Sequence, residues 1–208
     1  MNLQNILNNE LEILLTTTDN LSIDNKHIYA NLVAQVFYYA KYSTKLLALA
    51  GVRTKDSRLT NRFFSHVKEE TNHELLALRD LEGLGFSIDD FPELESTKAM
   101  YQTQYFQIEE YGAEALMGWI LALEGYAIRS CTGLYQRANE IYGAKCTRFV
   151  RVHAEEDPDH FEKAVEQVSL IQNKDNLITN MKDSIKRYNQ ILIDCEKSGA
   201  SIKNKIAA

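Results

Sequence analysis

The chain has 208 residues, of which 45% are hydrophobic and 25% charged, with 9 glycines and 2 prolines. This is the composition of one globular, helical domain rather than of a disordered or fibrous protein. A net charge of −6 argues against a nucleic-acid-binding protein, because phosphate recognition needs a basic face.

The three cysteines, Cys131, Cys146 and Cys195, have no CxxC spacing and are odd in number, which is typical of a reducing compartment. No apolar run reaches the roughly 20 residues that span a bilayer, and the first residues do not resemble a signal peptide, so we expect a soluble, cytoplasmic protein.

Apolar residues recur at helical spacing along nearly the whole chain, and no stretch keeps the alternation of a half-buried strand. The pattern predicts an all-α fold of seven helices, at about residues 2–17, 26–51, 56–83, 95–109, 112–142, 144–172 and 175–197. Asp56 and Ser57 are residues typical of a helix N-cap. Within the 112–142 helix, glycines spaced seven and eight residues apart predict a flat seam for another helix: Gly118, Gly125 and Gly133. We expect one domain over residues 1–198 and a frayed tail over 199–208.

The 56–83 segment contains the first candidate metal ligands, Glu70 and His73. Two residues three apart in a helix lie about 60° apart around its axis, so both side chains can reach one ion. His66 and Glu69 share this face. A solvated acidic helix surface is therefore an equally good interpretation of this motif alone.

The 112–142 segment contains Glu124 within LMGWILALEGYAI, a run that is otherwise almost wholly apolar. This carboxylate should be buried, and a buried carboxylate must be protonated, paired with a cation or bound to a metal. An ion pair with Arg62 or Arg129 is the alternative to a metal.

The 144–172 segment contains His153, Asp157 and His160 at spacings of four and three, which places them on one face of a continuous helix. Pro158 lies within this motif, and a proline inside a helix removes a hydrogen bond and produces a kink. Either Asp157 caps a new helix that begins at Pro158, or one bent helix presents all three side chains. We favour the bent helix.

Together these motifs give three carboxylates and three imidazoles on three helices, a ligand set suited to two iron ions with positions left open for O2. Zinc is disfavoured, because its structural sites have four closed ligands rich in cysteine and its catalytic sites about three. A ferritin-like site needs a glutamate from a fourth helix. Residues 26–51 contain no acidic residue, which argues against that family.

The six positions resemble those of the heme-oxygenase-like diiron oxidases, also called iron-containing redox enzymes, over roughly residues 28–172. In that family one core helix supplies a Glu and a His, the next a Glu, and a third a His-x-x-x-Asp/Glu-x-x-His set. The corresponding residues here are Glu70, His73, Glu124, His153, Asp157 and His160. The resemblance implies a heme-oxygenase-like helical bundle, two Fe(II) ions, and O2 as co-substrate for oxidising an amine, amino acid, fatty acid or aromatic substrate. In some members the first Glu is further from the His, so Glu69 or His66 can take the place of Glu70.

Three residues are candidates for contacting a substrate: Trp119 on the Glu124 helix, and Arg62 and Arg129 as partners of a substrate carboxylate. Ordinary core packing and ordinary ion pairs are the alternative interpretations. The partners expected are a small-molecule substrate and, since many relatives dimerise, a second copy of the chain.

Three other functions stay open at this stage. A metal-free thiaminase-like or quinone-cofactor-forming oxidase has the same bundle but lacks the six-ligand set. A heme oxygenase needs a proximal histidine near the first helix, for which His27 is the candidate. A non-enzymatic helical interaction protein would leave a buried Glu124 unexplained.

Overall fold

The computed structural model describes the backbone of residues 3–206 and the side chains of residues 3–155 and 159–198. This part of the chain contains α-helices and three short 3-10 turns and no strand, as the sequence predicts. The helices are α1 Leu3–Asp19, α2 Lys26–Ala40, α3 Ser43–Arg53, α4 Ser57–Glu70, α5 His73–Gly83, α6 Glu95–Tyr111, α7 Leu116–Tyr142, α8 Arg148–Ser169 and α9 Asp175–Ile206. The 3-10 turns are Ile88–Asp90, Ala113–Ala115 and Ala144–Cys146.

Two of the seven predicted helices are each divided in two. The predicted 26–51 helix breaks at Lys41 and Tyr42, where the Tyr42 ring stacks on Tyr101 of α6 with ring centres 3.7 Å apart. No glycine, proline or asparagine marks this break in the sequence. The contact that accompanies the break is with a distant helix, which a local sequence pattern does not reveal.

The predicted 56–83 helix breaks at Thr71 and Asn72, between two of the candidate ligands. Thr71 is extended, and Asn72 has a left-handed backbone with φ of 71°. Asparagine tolerates this conformation better than most residues. Glu70 therefore ends α4 and His73 begins α5, so the prediction that both lie on one continuous helix is wrong.

Helix α7 is the central element and packs against α1, α8 and α9. At Gly118 a Cβ atom would lie 2.1 Å from the carbonyl oxygen of Leu177, so only glycine permits this approach of α9. Gly125 contacts Leu7 of α1, whereas Gly133 has open space beside it. The predicted seam is therefore confirmed at its first two glycines.

The other helix ends lie within four residues of the predicted ones, except that α9 continues to Ile206 where the sequence predicts an end at residue 197. The Asp56 carboxylate accepts a hydrogen bond from the Arg58 amide at 2.9 Å and caps α4. Helix α8 is one helix from Arg148 to Ser169, and no second helix begins at Pro158. The predicted tail 199–208 lies outside the residues whose side chains are described. Within the described residues, no helix is long and apolar enough to cross a membrane.

Candidate metal centre and adjoining cavity

Four helix segments bring the candidate ligands together in the middle of the bundle. The end of α4 supplies His66 and Glu70, the start of α5 supplies His73, and α7 supplies Glu124. Helix α8 supplies His153 and His160, almost two turns apart. These side chains form two groups, and each group has ligand atoms within 4.8 Å of one another.

The first group contains His66, Glu70, Glu124 and His160. His66 and Glu124 are only 3% and 6% exposed. The His66 Nε2 atom lies 3.1 Å from Oε1 of Glu124 and 3.6 Å from Oε1 of Glu70. The His160 Nδ1 atom lies 3.9 Å from the other carboxylate oxygen of Glu124. Glu124 is thus buried as the sequence predicts, and its neighbours are histidines.

The proximity of carboxylates and imidazoles perturbs both kinds of group. Burial by itself lowers the pKa of His66, but its close contacts with Glu124 and Glu70 and the charges of these carboxylates outweigh burial and raise it to about 9. Burial by itself raises the pKa of Glu70, yet its contacts with His66 and His73 hold it well below the ordinary value. The carboxylates of this group therefore favour a positive charge at its centre.

The second group contains Glu70, His73 and His153. The His73 Nδ1 atom lies 3.6 Å from Oε2 of Glu70, and the rings of His73 and His153 are 5.1 Å apart. The Nδ1 atom of His153 lies 2.8 Å from the carbonyl oxygen of Phe149, whose ring stacks on the imidazole at 3.9 Å. With Nδ1 donating to this carbonyl, Nε2 is left as the ligand atom of His153.

Asp80 holds the start of α8, and with it His153, against α5. Its fully buried carboxylate accepts hydrogen bonds from the main-chain amides of Arg148 at 2.9 Å and Phe149 at 2.8 Å. Nearby, Gly83 allows α5 to approach the carbonyl of Lys145, which a Cβ atom would meet at 2.4 Å. The α5 helix that begins with His73 is therefore joined directly to the turn that precedes His153.

The sequence analysis did not predict His66 as a ligand in its own right. It gave His66 or Glu69 as a replacement for Glu70, whereas His66 and Glu70 both lie in the cluster. Glu69 pairs with Arg62 at 2.8 Å, and the same carboxylate oxygen lies 3.8 Å from Nε2 of His160. The signal for His66 was present, since it precedes Glu70 by one helical turn and therefore shares its face. Asp157 lies outside the residues whose side chains are described.

A cavity of about 70 Å³, partly open to solvent, adjoins the cluster and is called the near cavity below. His66, Glu70, Glu124 and His153 form its polar wall. The rest of its lining is mostly apolar and aromatic, and includes Trp119, Tyr39, Tyr126, Tyr188, Phe149 and Leu123. Trp119 thus lines the cavity beside the cluster, and its contact with a substrate stays a prediction.

The two arginines proposed from the sequence do not line this cavity. Arg62 is buried and bonds to Glu69, while Arg129 pairs with Glu12 of α1 at 2.8 Å. Each guanidinium is bonded to a carboxylate of the protein, which favours the ordinary ion-pair interpretation, so substrate binding by either arginine stays a prediction. His27 lies at the start of α2 with its ring 4.6 Å from Phe91, and it also does not line the near cavity.

The described residues fit a pair of metal ions. Imidazole nitrogens and carboxylate oxygens suit iron with positions left open for small molecules. Glu70 is common to both groups and has two oxygens, one facing His66 and the other facing His73. Neither ring nitrogen of buried His66 has a hydrogen-bond partner among the described residues, and Nε2 is the one that faces the carboxylates. An ion in each group would balance the charge of the buried carboxylates and accept the lone pairs of the imidazoles, which offsets the cost of burying them in an apolar core.

Comparison with known structures supports the fold. A Shewanella denitrificans domain of unknown function with a heme oxygenase-like fold is 20% identical, with a TM-score of 0.81 over 97% of this chain and 91% of the other. A TenA homolog from Pseudomonas syringae pv. tomato is 15% identical, with a TM-score of 0.72 over 91% of this chain and 90% of the other. The chain therefore has the heme-oxygenase-like fold. No match was found among curated proteins.

Comparison with family models assigns the chain directly. The model of the iron-containing redox enzymes matches residues 30–178, which include every candidate ligand on α4, α5, α7 and α8. This range is well over half of the 208 residues. The chain therefore belongs to the iron-containing redox enzyme family.

Proposed function

We propose that the protein is a non-heme diiron oxidase or oxygenase that uses O2 to oxidise a small organic substrate. The observation that supports this most is the position of Glu70, whose two carboxylate oxygens face two separate groups of histidines. A single carboxylate shared by two groups is the arrangement that a pair of ions requires. When bound, two ferrous ions would supply the electrons that reduce O2.

The residues of this chain divide into two ligand sets. His66, Glu124 and His160 would hold one ion, and His73 and His153 the other, with Glu70 between them. Each side chain is fixed by its helix, and His153 is further oriented by the Phe149 carbonyl. Histidine ligands oriented by a main-chain carbonyl have a defined tautomer and bind metal more tightly.

The near cavity provides the place for the substrate. Its wall is mostly aromatic and aliphatic and includes Trp119 and Tyr39. A substrate that fills the cavity would displace water there, which strengthens electrostatic interactions at the cluster. The substrate therefore lies next to Glu70 and Glu124 with its apolar part against these rings.

Iron counting under anaerobic conditions tests the proposal. The native protein is expected to take up about two ferrous ions per chain and then to consume O2 with a change in its visible spectrum. His153→Ala and His66→Ala are expected to lower the iron count. His27→Ala is the matched control, because His27 contacts Phe91 and does not belong to either group. Failure of the native protein to bind iron above the level of unspecific sites would refute the proposal.

Two further expectations extend this function. We propose that the enzyme acts in the cytoplasm and forms a homodimer. The oligomeric state is measured directly by sedimentation of the iron-loaded protein, and a monomer at micromolar concentration would contradict the homodimer.

A further inference from the structure

Three large hydrophobic side chains lie exposed where α3 and α6 end. The two helix ends are joined by an ion pair in which Nε of Arg53 donates to Oε1 of Glu109 at 2.9 Å. Val52 precedes Arg53 and is 67% exposed, and Phe106 lies one helical turn before Glu109 and is 55% exposed. The ring of Phe106 contacts that of half-exposed Tyr111 edge to face, with centres 5.7 Å apart. These five residues are called the α3–α6 face below.

The apolar part of this face has no role in the fold or in the candidate metal centre. Val52, Phe106 and Tyr111 do not belong to the buried core, and none of them lines the near cavity. Single exposed hydrophobic residues are common on proteins, but adjacent ones mark surfaces that contact a partner. Aromatic residues in particular are enriched at protein interfaces. The face therefore has the composition of an interaction surface.

A surface groove of about 520 Å³ begins at Tyr111 and continues away from Phe106. It lies between the start of α4, the turn before α7 and the connection from α8 to α9. Buried Leu59 and Ile171 and exposed Leu170 give it an apolar part, and most of its other lining residues are polar. One corner of the molecule therefore has both a projecting aromatic ring and a recess.

The two helices give this corner opposite charges. Arg53 and Lys55 are exposed at the end of α3, and residues 26–55 contain five basic residues and no acidic one. Glu109 and Glu110 are exposed at the end of α6. The face is thus positive on its α3 half and negative on its α6 half.

This distribution of charge and shape fits a second copy of the chain. In a two-fold dimer the same patch is used by both subunits, so each half of the patch meets the other half of its partner. The positive α3 end would then lie against the negative α6 end twice, and Phe106 of each subunit would enter the groove of the other. A partner of uniform charge would be repelled by one of the two halves.

From these observations we infer that the α3–α6 face and the adjoining groove form the interface of a two-fold homodimer. The inference rests on the homodimer proposed above and adds to it the residues that hold the two subunits together. It does not depend on the metal, because no candidate ligand belongs to the face.

Substitution of the projecting ring tests the interface. Sedimentation of the full chain over a wide range of protein concentrations measures the dimer dissociation constant. Phe106→Asp should raise this constant about 30-fold, which corresponds to about 2 kcal/mol for a central interface residue, and Val52→Asp should raise it as well. Ile13→Asp is the matched control, because Ile13 is 70% exposed on α1, which packs against α7 and α9. Native dissociation constants for both Phe106→Asp and Val52→Asp would overturn the inference.

Charge reversal tests the two-fold arrangement independently of the apolar contacts. The first variant carries Arg53→Glu and Lys55→Glu, and the second carries Glu109→Lys and Glu110→Lys. Each variant alone places like charges across the interface and should dimerise about tenfold more weakly than the native chain. An equal mixture of the two should form a mixed dimer of native stability, because both contacts are then between opposite charges. A mixture no more stable than the separate variants would overturn the inference.

The outcomes separate this inference from the proposals on which it is built. A native chain that stays monomeric refutes both the homodimer and its interface. A native dimer that Phe106→Asp and charge reversal leave unchanged refutes the interface alone. Iron counting decides the diiron function separately, and Phe106→Asp should bind as much iron as the native chain.

Discussion

Replacing Asp80 with alanine tests whether a side chain of α5 holds the start of α8 in place. Both oxygens of this buried carboxylate accept main-chain hydrogen bonds, from Arg148 at 2.9 Å and from Phe149 at 2.8 Å. The residue before α8, Thr147, makes no capping hydrogen bond of its own. Asp80 is therefore a cap that only the tertiary structure supplies.

The magnitude follows from the two amides that lose their acceptor. A buried polar group left unsatisfied costs about 1–3 kcal/mol, so we expect Asp80→Ala to lower the free energy of unfolding by about 3 kcal/mol. At about 2–4 °C per kcal/mol for a chain of this size, Tm falls by roughly 6–12 °C. Asp80→Asn keeps one acceptor and should lose about half as much.

The assay is thermal unfolding followed by circular dichroism, with Asp56→Ala as the control. Asp56 caps α4 locally with one main-chain hydrogen bond of 2.9 Å at an exposed helix end, where water can replace the lost acceptor, so its loss should cost less than that of Asp80. If Asp80→Ala is no more destabilised than Asp56→Ala, the reasoning about the joint between α5 and α8 is refuted. Lower iron affinity in Asp80→Asn would show that this joint also positions His153.

The burial of Asp80 also leads us to expect that its contribution to stability depends on pH. Burial raises its pKa, although hydrogen bonds from Phe149 and Arg148 act in the opposite direction. A carboxyl whose folded-state pKa is raised contributes stability that is present below the unfolded-state value and lost as the pH rises through the folded-state value. The difference in unfolding free energy between native protein and Asp80→Asn should therefore decrease as the pH rises above 3.8, the ordinary value. A difference that grows with pH would contradict this sign.

Two further substitutions probe the backbone that supports the site. Gly118→Ala should lower Tm by several degrees, because its Cβ would meet the Leu177 carbonyl at 2.1 Å. Gly133→Ala is the control, because Gly133 has open space beside it, and it should raise stability by about 0.5–1 kcal/mol. Equal melting temperatures of the two variants would contradict the close approach of α7 and α9. Asn72→Ala should cost about 1 kcal/mol and weaken iron binding, because residue 72 has a φ of 71° between Glu70 and His73. Asn72→Gly should retain both stability and iron, and an alanine variant with native iron affinity would show that this turn does not set the ligand positions.

The candidate site was largely predictable because its signals are local. Glu124 stands out as the acidic residue of an apolar helix, and His153 and His160 stand out by their spacing. Such patterns depend only on helix periodicity, which can be read from the spacing of residues in the sequence. Five of the six predicted ligands are brought together, and the sixth, Asp157, lies outside the residues whose side chains are described.

The break at Tyr42 depended on a contact between distant segments. It accompanies a stack with Tyr101 of α6, and nothing in the sequence marks these two rings as partners. The arginines proposed for the substrate bond to Glu69, seven residues along the same helix as Arg62, and to Glu12 of α1. The break at Thr71 and Asn72 had a weak local signal in the asparagine, but the continuous polar face around it favoured one helix.

The sequence by itself determined that the protein is all-α and which side chains offer ligands to a metal, because helix periodicity and the burial of a charged residue are properties of short segments. The tertiary structure decided that His66 joins the cluster, that Glu70 faces two groups of histidines, and that the near cavity adjoins them. These depend on how α4, α5, α7 and α8 are placed relative to one another, and that placement is set by packing at positions such as Gly118 and Asp80.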